Sequence, residues 1–271
     1  MKLKKSFSFS DKNQIWRLLI SASDQLILET RNIEKKEVFF HCLDLKKGKK
    51  IFKGLQLEEK YWLGIESVYK GIIYFHTFAT PNMPEHKKII AFDIPSNKII
   101  WQNDQLTYLT VKDDKVYAFK KKFEGKDVFI LDYLSGDIIE ELGDDLSQVN
   151  ELVTEAHYNE DFSNYIYPES ILNSEFESSS FISEEIKGKN VHNSIDFLKY
   201  GNFICFNYFI VNENNSFDNM FVIYDIEKGK KVHSEILNRN LNSFSPDSFF
   251  CYKNQILLLK NKNEIISYKV I

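Results

Sequence analysis

The chain has 271 residues, 43% of them hydrophobic and 15% aromatic, with 23 Phe and 14 Tyr, so it can bury a large core and intrinsic disorder is excluded. Its 35 basic against 39 acidic residues leave a net charge of −4, which lacks the positive excess that a nucleic-acid partner demands. The three cysteines, Cys42, Cys205 and Cys251, are odd in number and have no CxxC spacing, which points to buried thiols rather than a disulfide framework or a zinc site.

The N-terminal residues are basic, but KKSFSF (4 to 9) alternates Phe with Ser where a secretory signal needs a continuous apolar run. It reads as a single strand. No apolar run reaches the roughly 20 residues that span a bilayer, so the expectation is a cytoplasmic protein without a membrane anchor. From residue 18 a pattern sets in: strand, polar turn, strand in LLISASDQLILET (18 to 30), then an apolar strand ending in Asp, a tight turn and another strand in FFHCLDLKKGKKIF (39 to 52). The pair recurs as IESVYKGIIYFHTF (65 to 78) with IIAFDIPSNKIIW (89 to 101), and as LTVKDDKVYAFK (109 to 120) with VFILDYLSGDII (128 to 139). It returns as IDFLKYGNFICFNYF (195 to 209) with FVIYDIEKGKKV (221 to 232), and the chain closes on DSFFCYKNQILLLKNKNEIISYKV (247 to 270).

In four copies an Asp (Asp44, Asp93, Asp132, Asp225) is followed four residues later by Gly48, Asn97, Gly136 or Gly229. Asp can take turn N–H groups on its carboxylate, and Gly or Asn tolerates the left-handed backbone that a tight hairpin requires. Both roles are structural. Four strands every 40 to 50 residues or so is the pattern of a β-propeller blade. The predicted fold is therefore all-β: a small β-propeller of four-stranded antiparallel blades in one domain, residues 1–271, with five blades, six being the alternative. The last unit is one strand short, and residues 4 to 9 are one strand over, so the N-terminal strand is expected to pair in the C-terminal blade and close the ring.

Residues 144 to 192 interrupt the repeat with 11 acidic and 2 basic residues. They read as an irregular acidic insertion or a degenerate blade, partly helical between Glu169 and Ile186. Tyr158, Tyr165 and Tyr167 in this segment are candidate interaction aromatics.

The strand–Asp–turn–Gly–strand element, with Trp101 after the turn in IIAFDIPSNKIIW, resembles the repeat of quinoprotein-like (PQQ-repeat-like) propellers. Phe52, Ile139 and His233 stand in for the Trp in the other copies. That resemblance implies the fold; no residues match the family's quinone and calcium site, and no cofactor or metal is expected. The whole chain, through IWRLL (15 to 19), HTFATPNMPEHKKIIAFD (76 to 93) and DSFFCYKNQILLLKNKNEIISY (247 to 268), also resembles an uncharacterised Bacteroidota family known only as a domain of unknown function.

HTFATPNMPEHKK (76 to 88) puts about ten residues and two prolines where the other copies have a short turn. His76, Glu85 and His86 there are the candidate functional cluster, since imidazole and carboxylate suit proton transfer and metal ligation. The six histidines show no HExxH or triad spacing, and no Gly-rich phosphate loop is present. The expectation is a monomeric, non-catalytic binding scaffold for a protein or a small molecule. The rival is a hydrolase- or lyase-type enzyme with its site at the channel mouth beside the 76–88 loop.

Overall fold

A computed structural model describes residues 2–80, 83–144, 150, 151, 154, 161–172, 180–244 and 248–271. The chain divides into two compact units, a middle one (Asn13–Asp161) and a terminal one (Met1–Lys12 with Phe162–Ile271). The first strand, β1 (Leu3–Ser10), belongs to the terminal unit and is described with it.

Three four-stranded antiparallel meanders make up the middle unit. The first is β2 (Gln14–Ile20), β3 (Gln25–Asn32), β4 (Glu37–Asp44) and β5 (Lys49–Leu55); the second is β6 (Leu63–Tyr69), β7 (Ile72–Thr80), β8 (Met83–Asp93) and β9 (Lys98–Asn103). The third is β10 (Thr107–Lys112), β11 (Lys115–Lys121), β12 (Lys126–Asp132) and β13 (Ile138–Gly143). Each sheet lies in chain order, as short hairpins require.

Side chains alternate across a strand, and in the second sheet both faces are covered, so β7 is apolar almost throughout. Ile73 and Phe75 pack with Ile27, Phe40 and Cys42 of the first sheet. Ile72 and Tyr74 pack the other way, with Val116, Ala118 and Leu131 of the third. The outermost strands β5, β9 and β13 are largely exposed and carry Lys and Glu, which discourage edge-to-edge pairing.

The Asp-led hairpins share one geometry. Asp44 accepts the N–H of Lys47 at 2.9 Å, Asp93 that of Ser96 at 2.8 Å, Asp132 that of Ser135 at 2.8 Å and Asp225 that of Lys228 at 3.1 Å. The residue four after each Asp is left-handed: Gly48 at φ 64°, Asn97 at 56°, Gly136 at 73° and Gly229 at 60°. At Gly136 packing adds a second demand. The Trp101 indole lies on this turn and donates to Tyr133 O at 3.0 Å, and a Cβ on Gly136 would sit 2.6 Å from the ring.

The terminal unit holds two five-stranded sheets. Residues 161–172 contribute β14 (Tyr165–Ile166) and β15 (Glu169–Leu172), and helix α1 (Ser180–Ile186) follows. Then come β16 (Val191–Tyr200), β17 (Phe203–Val211), β18 (Phe217–Asp225), β19 (Lys230–Leu241), β20 (Phe249–Tyr252), β21 (Gln255–Lys260) and β22 (Glu264–Val270). One sheet runs β15-β16-β17-β18-β19 and the other β1-β22-β21-β20-β14. The N-terminal strand therefore does pair with the C-terminal one, from Leu3↔Val270 to Ser10↔Glu264.

One expectation is refined and another needs correction. Of the stretch expected to be partly helical, Glu169–Leu172 is a strand that pairs with the edge of β16, which gives its backbone groups partners, and Ser180–Ile186 is helix. The 76–88 stretch is not a long loop: β7 runs to Thr80 and β8 resumes at Met83, because the ladder absorbs the additional residues as bulges. Among the described residues no helix is long and apolar enough to cross a membrane.

Candidate functional site

The second sheet carries a polar cluster built on three irregularities. Along β6 and β7 the register runs Gly64↔His76 and Ile65↔Phe75, then resumes at Ser67↔Tyr74, so Glu66 is the extra residue of a β-bulge. On β8 one residue too many lies between the pairs Phe75↔Ile90 and Thr77↔Lys87, and Lys88 turns left-handed at φ 58°. Another lies between Phe78↔His86 and Thr80↔Met83. Bulges re-aim side chains, and these bring together three groups that plain alternation would not.

The Nδ1–H of His86 donates to Glu66 Oε1 at 2.8 Å. Nδ1 of His76 lies 3.0 Å from the same oxygen but off the ring N–H direction, a close contact rather than an aligned hydrogen bond. The two imidazoles stack with centroids 3.5 Å apart and planes 7° from parallel. Phe78 meets both edge-on, at 5.0 and 5.5 Å. His76 is buried, the Glu66 side chain is 15% exposed, and His86 is 38% exposed. Burial works against ionisation of Glu66, but the two imidazoles outweigh it and hold its carboxyl below the usual range.

The neighbouring sheets brace this arrangement from both sides. Arg31 of β3 donates to Leu63 O at 2.6 Å and Tyr61 O at 3.2 Å, and its charge is matched by Glu29 at 2.6 Å. Arg17 donates to Ile65 O. From β10, Thr107 donates to His86 O at 3.1 Å, while Ser67 and Tyr108 share a hydrogen bond of 2.6 Å. Gly64 gives His76 its room: a Cβ there would lie 3.0 Å from Cε1 and 3.1 Å from Nε2. Beside Phe78 opens a shallow cleft of about 450 Å³, whose wall includes Glu59, Thr77, Lys87 and the ion pair of Lys88 with Asp104 at 2.8 Å.

Register shows how far the site departs from the repeat. The bulge position held by Glu66 is Trp16 in the first sheet and Leu109 in the third, and the position of His76 is Arg31 and Phe119. Of the residues expected from sequence, His76 and His86 come together and Glu85 does not. Glu85 pairs instead with Lys121 at 3.0 Å on the surface. The carboxylate of the cluster is Glu66, which sequence reasoning missed; an acid inside the otherwise strand-like LGIESVY is the signal that marks it.

Tyr165 packs within the terminal unit, edge-on to Tyr252 at 4.9 Å and stacked with Tyr167 at 5.8 Å. Tyr167 is half-exposed over Phe250. Tyr158 lies outside the described residues.

A family described as a domain of unknown function, DUF4905, matches residues 20–101, which include the whole cluster. No curated protein matches the chain. Among solved structures, a eukaryotic initiation factor is 10% identical at a TM-score of 0.36, over 85% of this chain and 57% of that one. The acylaminoacyl peptidase of Pyrococcus horikoshii is 13% identical at 0.33, over 91% of this chain and 35% of its own. The chain thus spans little more than half of one and about a third of the other. At such scores neither likeness bears on activity.

Proposed function

We propose that the five sheets are the blades of one quinoprotein-like β-propeller, a single-domain monomer whose ring β1 closes. In this reading it is a non-catalytic binding module that takes a small ligand at Glu66, His76 and His86. One observation carries the functional part: a carboxylate and two stacked imidazoles occupy bulge and ladder positions that the neighbouring repeats fill with Trp16, Leu109, Arg31 and Phe119. Polar groups cost free energy when buried, so a cluster confined to one repeat needs a reason beyond the fold. The seat of Trp101 on the Gly136 turn supports the propeller repeat, and three free, buried thiols suit a reducing, cytoplasmic setting.

Two measurements test this. A closed ring of 271 residues has a radius of gyration of about 18 Å in small-angle scattering, whereas two loosely tethered units give a clearly larger value. A thermal-shift screen of metal ions, dicarboxylates, sugars and nucleotides is expected to find a ligand that stabilises the wild type but not His86→Ala, and that mass spectrometry recovers unchanged. Equal shifts in both proteins overturn the site, and conversion of the ligand establishes the catalytic rival.

A further inference from the structure

We propose that Glu66, His76 and His86 bind one divalent transition-metal ion of the zinc type, an inference that rests on the binding-module reading and names its ligand. Two imidazole nitrogens and a carboxylate oxygen are the donor set that suits such ions. The three donor atoms lie within 4.8 Å of one another, and two sides of their triangle measure 2.8 and 3.0 Å. Around an ion with bonds of about 2.0–2.1 Å, tetrahedral ligands stand roughly 3.4 Å apart, so only a small expansion is needed.

A second observation is independent of the spacing. His76 is buried, and neither of its ring nitrogens makes an aligned hydrogen bond. The contrast within the same unit is His41, also buried, whose Nδ1 accepts from Gly54 N–H at 3.1 Å and whose Nε2 donates to Thr30 at 2.9 Å. Among the described residues, Nδ1 of His76 meets only Glu66, in that poorly aligned contact, and its Nε2 has no hydrogen-bond partner; so sparse a set of partners is costly for a buried imidazole, and a metal bond at Nδ1 replaces the poor contact with a good one. The local charge also permits a cation. Arg31 reaches the same Gly64 position that His76 faces, and Glu29 already balances its charge.

Stacked rings present their nitrogens side by side rather than head-on. The ion is therefore taken as His86, the exposed member, swings out of the stack while Glu66 and His76 keep their places. Three protein ligands leave a fourth position for water.

The test uses the full chain stripped with a chelator and titrated with Zn²⁺ by calorimetry, and with Co²⁺ by visible absorption. The expected result is one ion per chain, a Co²⁺ band typical of tetrahedral nitrogen and oxygen ligation, and a rise in melting temperature. Glu66→Gln and His86→Ala are each expected to weaken binding on the order of tenfold or more. His86 is exposed enough that its variant should fold even where Glu66→Gln does not. No uptake of either ion, or uptake undiminished in His86→Ala, overturns the proposal. An organic ligand that stabilises the wild type but not His86→Ala, with no metal uptake, sinks the metal alone; no ligand of any kind at this position sinks the binding-module reading with it.

Discussion

Glu235 on β19 gathers three side chains: His233 at 2.9 Å, Lys260 at 2.9 Å and the Tyr268 hydroxyl at 3.3 Å. Burial opposes its charge, yet His233 and Lys260 prevail and bring the carboxyl down to about 2. A carboxylate depressed in the folded state stabilises it at every pH above the ordinary value near 4.5, and that contribution is lost as pH falls from there toward 2. Glu235→Gln should therefore cost on the order of 2 kcal/mol at pH 7 in urea denaturation, and the gap from wild type should close between pH 4.5 and 2. A gap that does not change with pH would mean the side chain acts through packing. At this scale sequence reading works for some residues and fails for others. His76 and His86 stand out because histidine is rare here and has few structural uses. Glu235 looks like an ordinary solvated acid, and at Glu66 the local signal is only an acid within a strand-like run, which does not record that a bulge turns it toward two histidines.

Within single elements the same turn can carry different loads. Gly136 and Gly229 both sit four residues after a hairpin Asp, both left-handed, but a Cβ on Gly229 would meet open space whereas one on Gly136 would strike the Trp101 ring. Gly229→Ala should cost about 1 kcal/mol, for backbone strain alone. Gly136→Ala should cost roughly 2–4 kcal/mol, since the indole must also move. Thermal or denaturant unfolding of the two variants, side by side, decides whether the indole contact adds anything. Most strands are legible from alternation bounded by these turns, as with β3–β4 and β17–β18. The reading fails at β7–β8, where extra residues resemble a loop and only the cross-strand partners show that they are bulges. It fails again at Glu169–Leu172, because whether an apolar segment pairs or coils depends on an edge that lies elsewhere in the chain.

Across the whole molecule, an odd strand at one end and a gap at the other foretell the β1–β22 pairing; the split into two compact units is foretold by no local signal, since contacts distant in sequence define it. Phe7 and Phe9 of β1 are buried. Deleting residues 1–10 should bare the β22 edge and destabilise the terminal unit by on the order of 5 kcal/mol, with self-association at high concentration. Calorimetry with light scattering checks both, and an unchanged, monomeric protein would show that the edge needs no cover. The pairing also dictates an order of events at the ribosome. The middle unit is complete in sequence when residue 161 emerges, but β1, made before it, must wait for β22, made after it. Until β22 appears, Phe7 and Phe9 trail without a berth, and the nascent chain has reason to need a chaperone around β1.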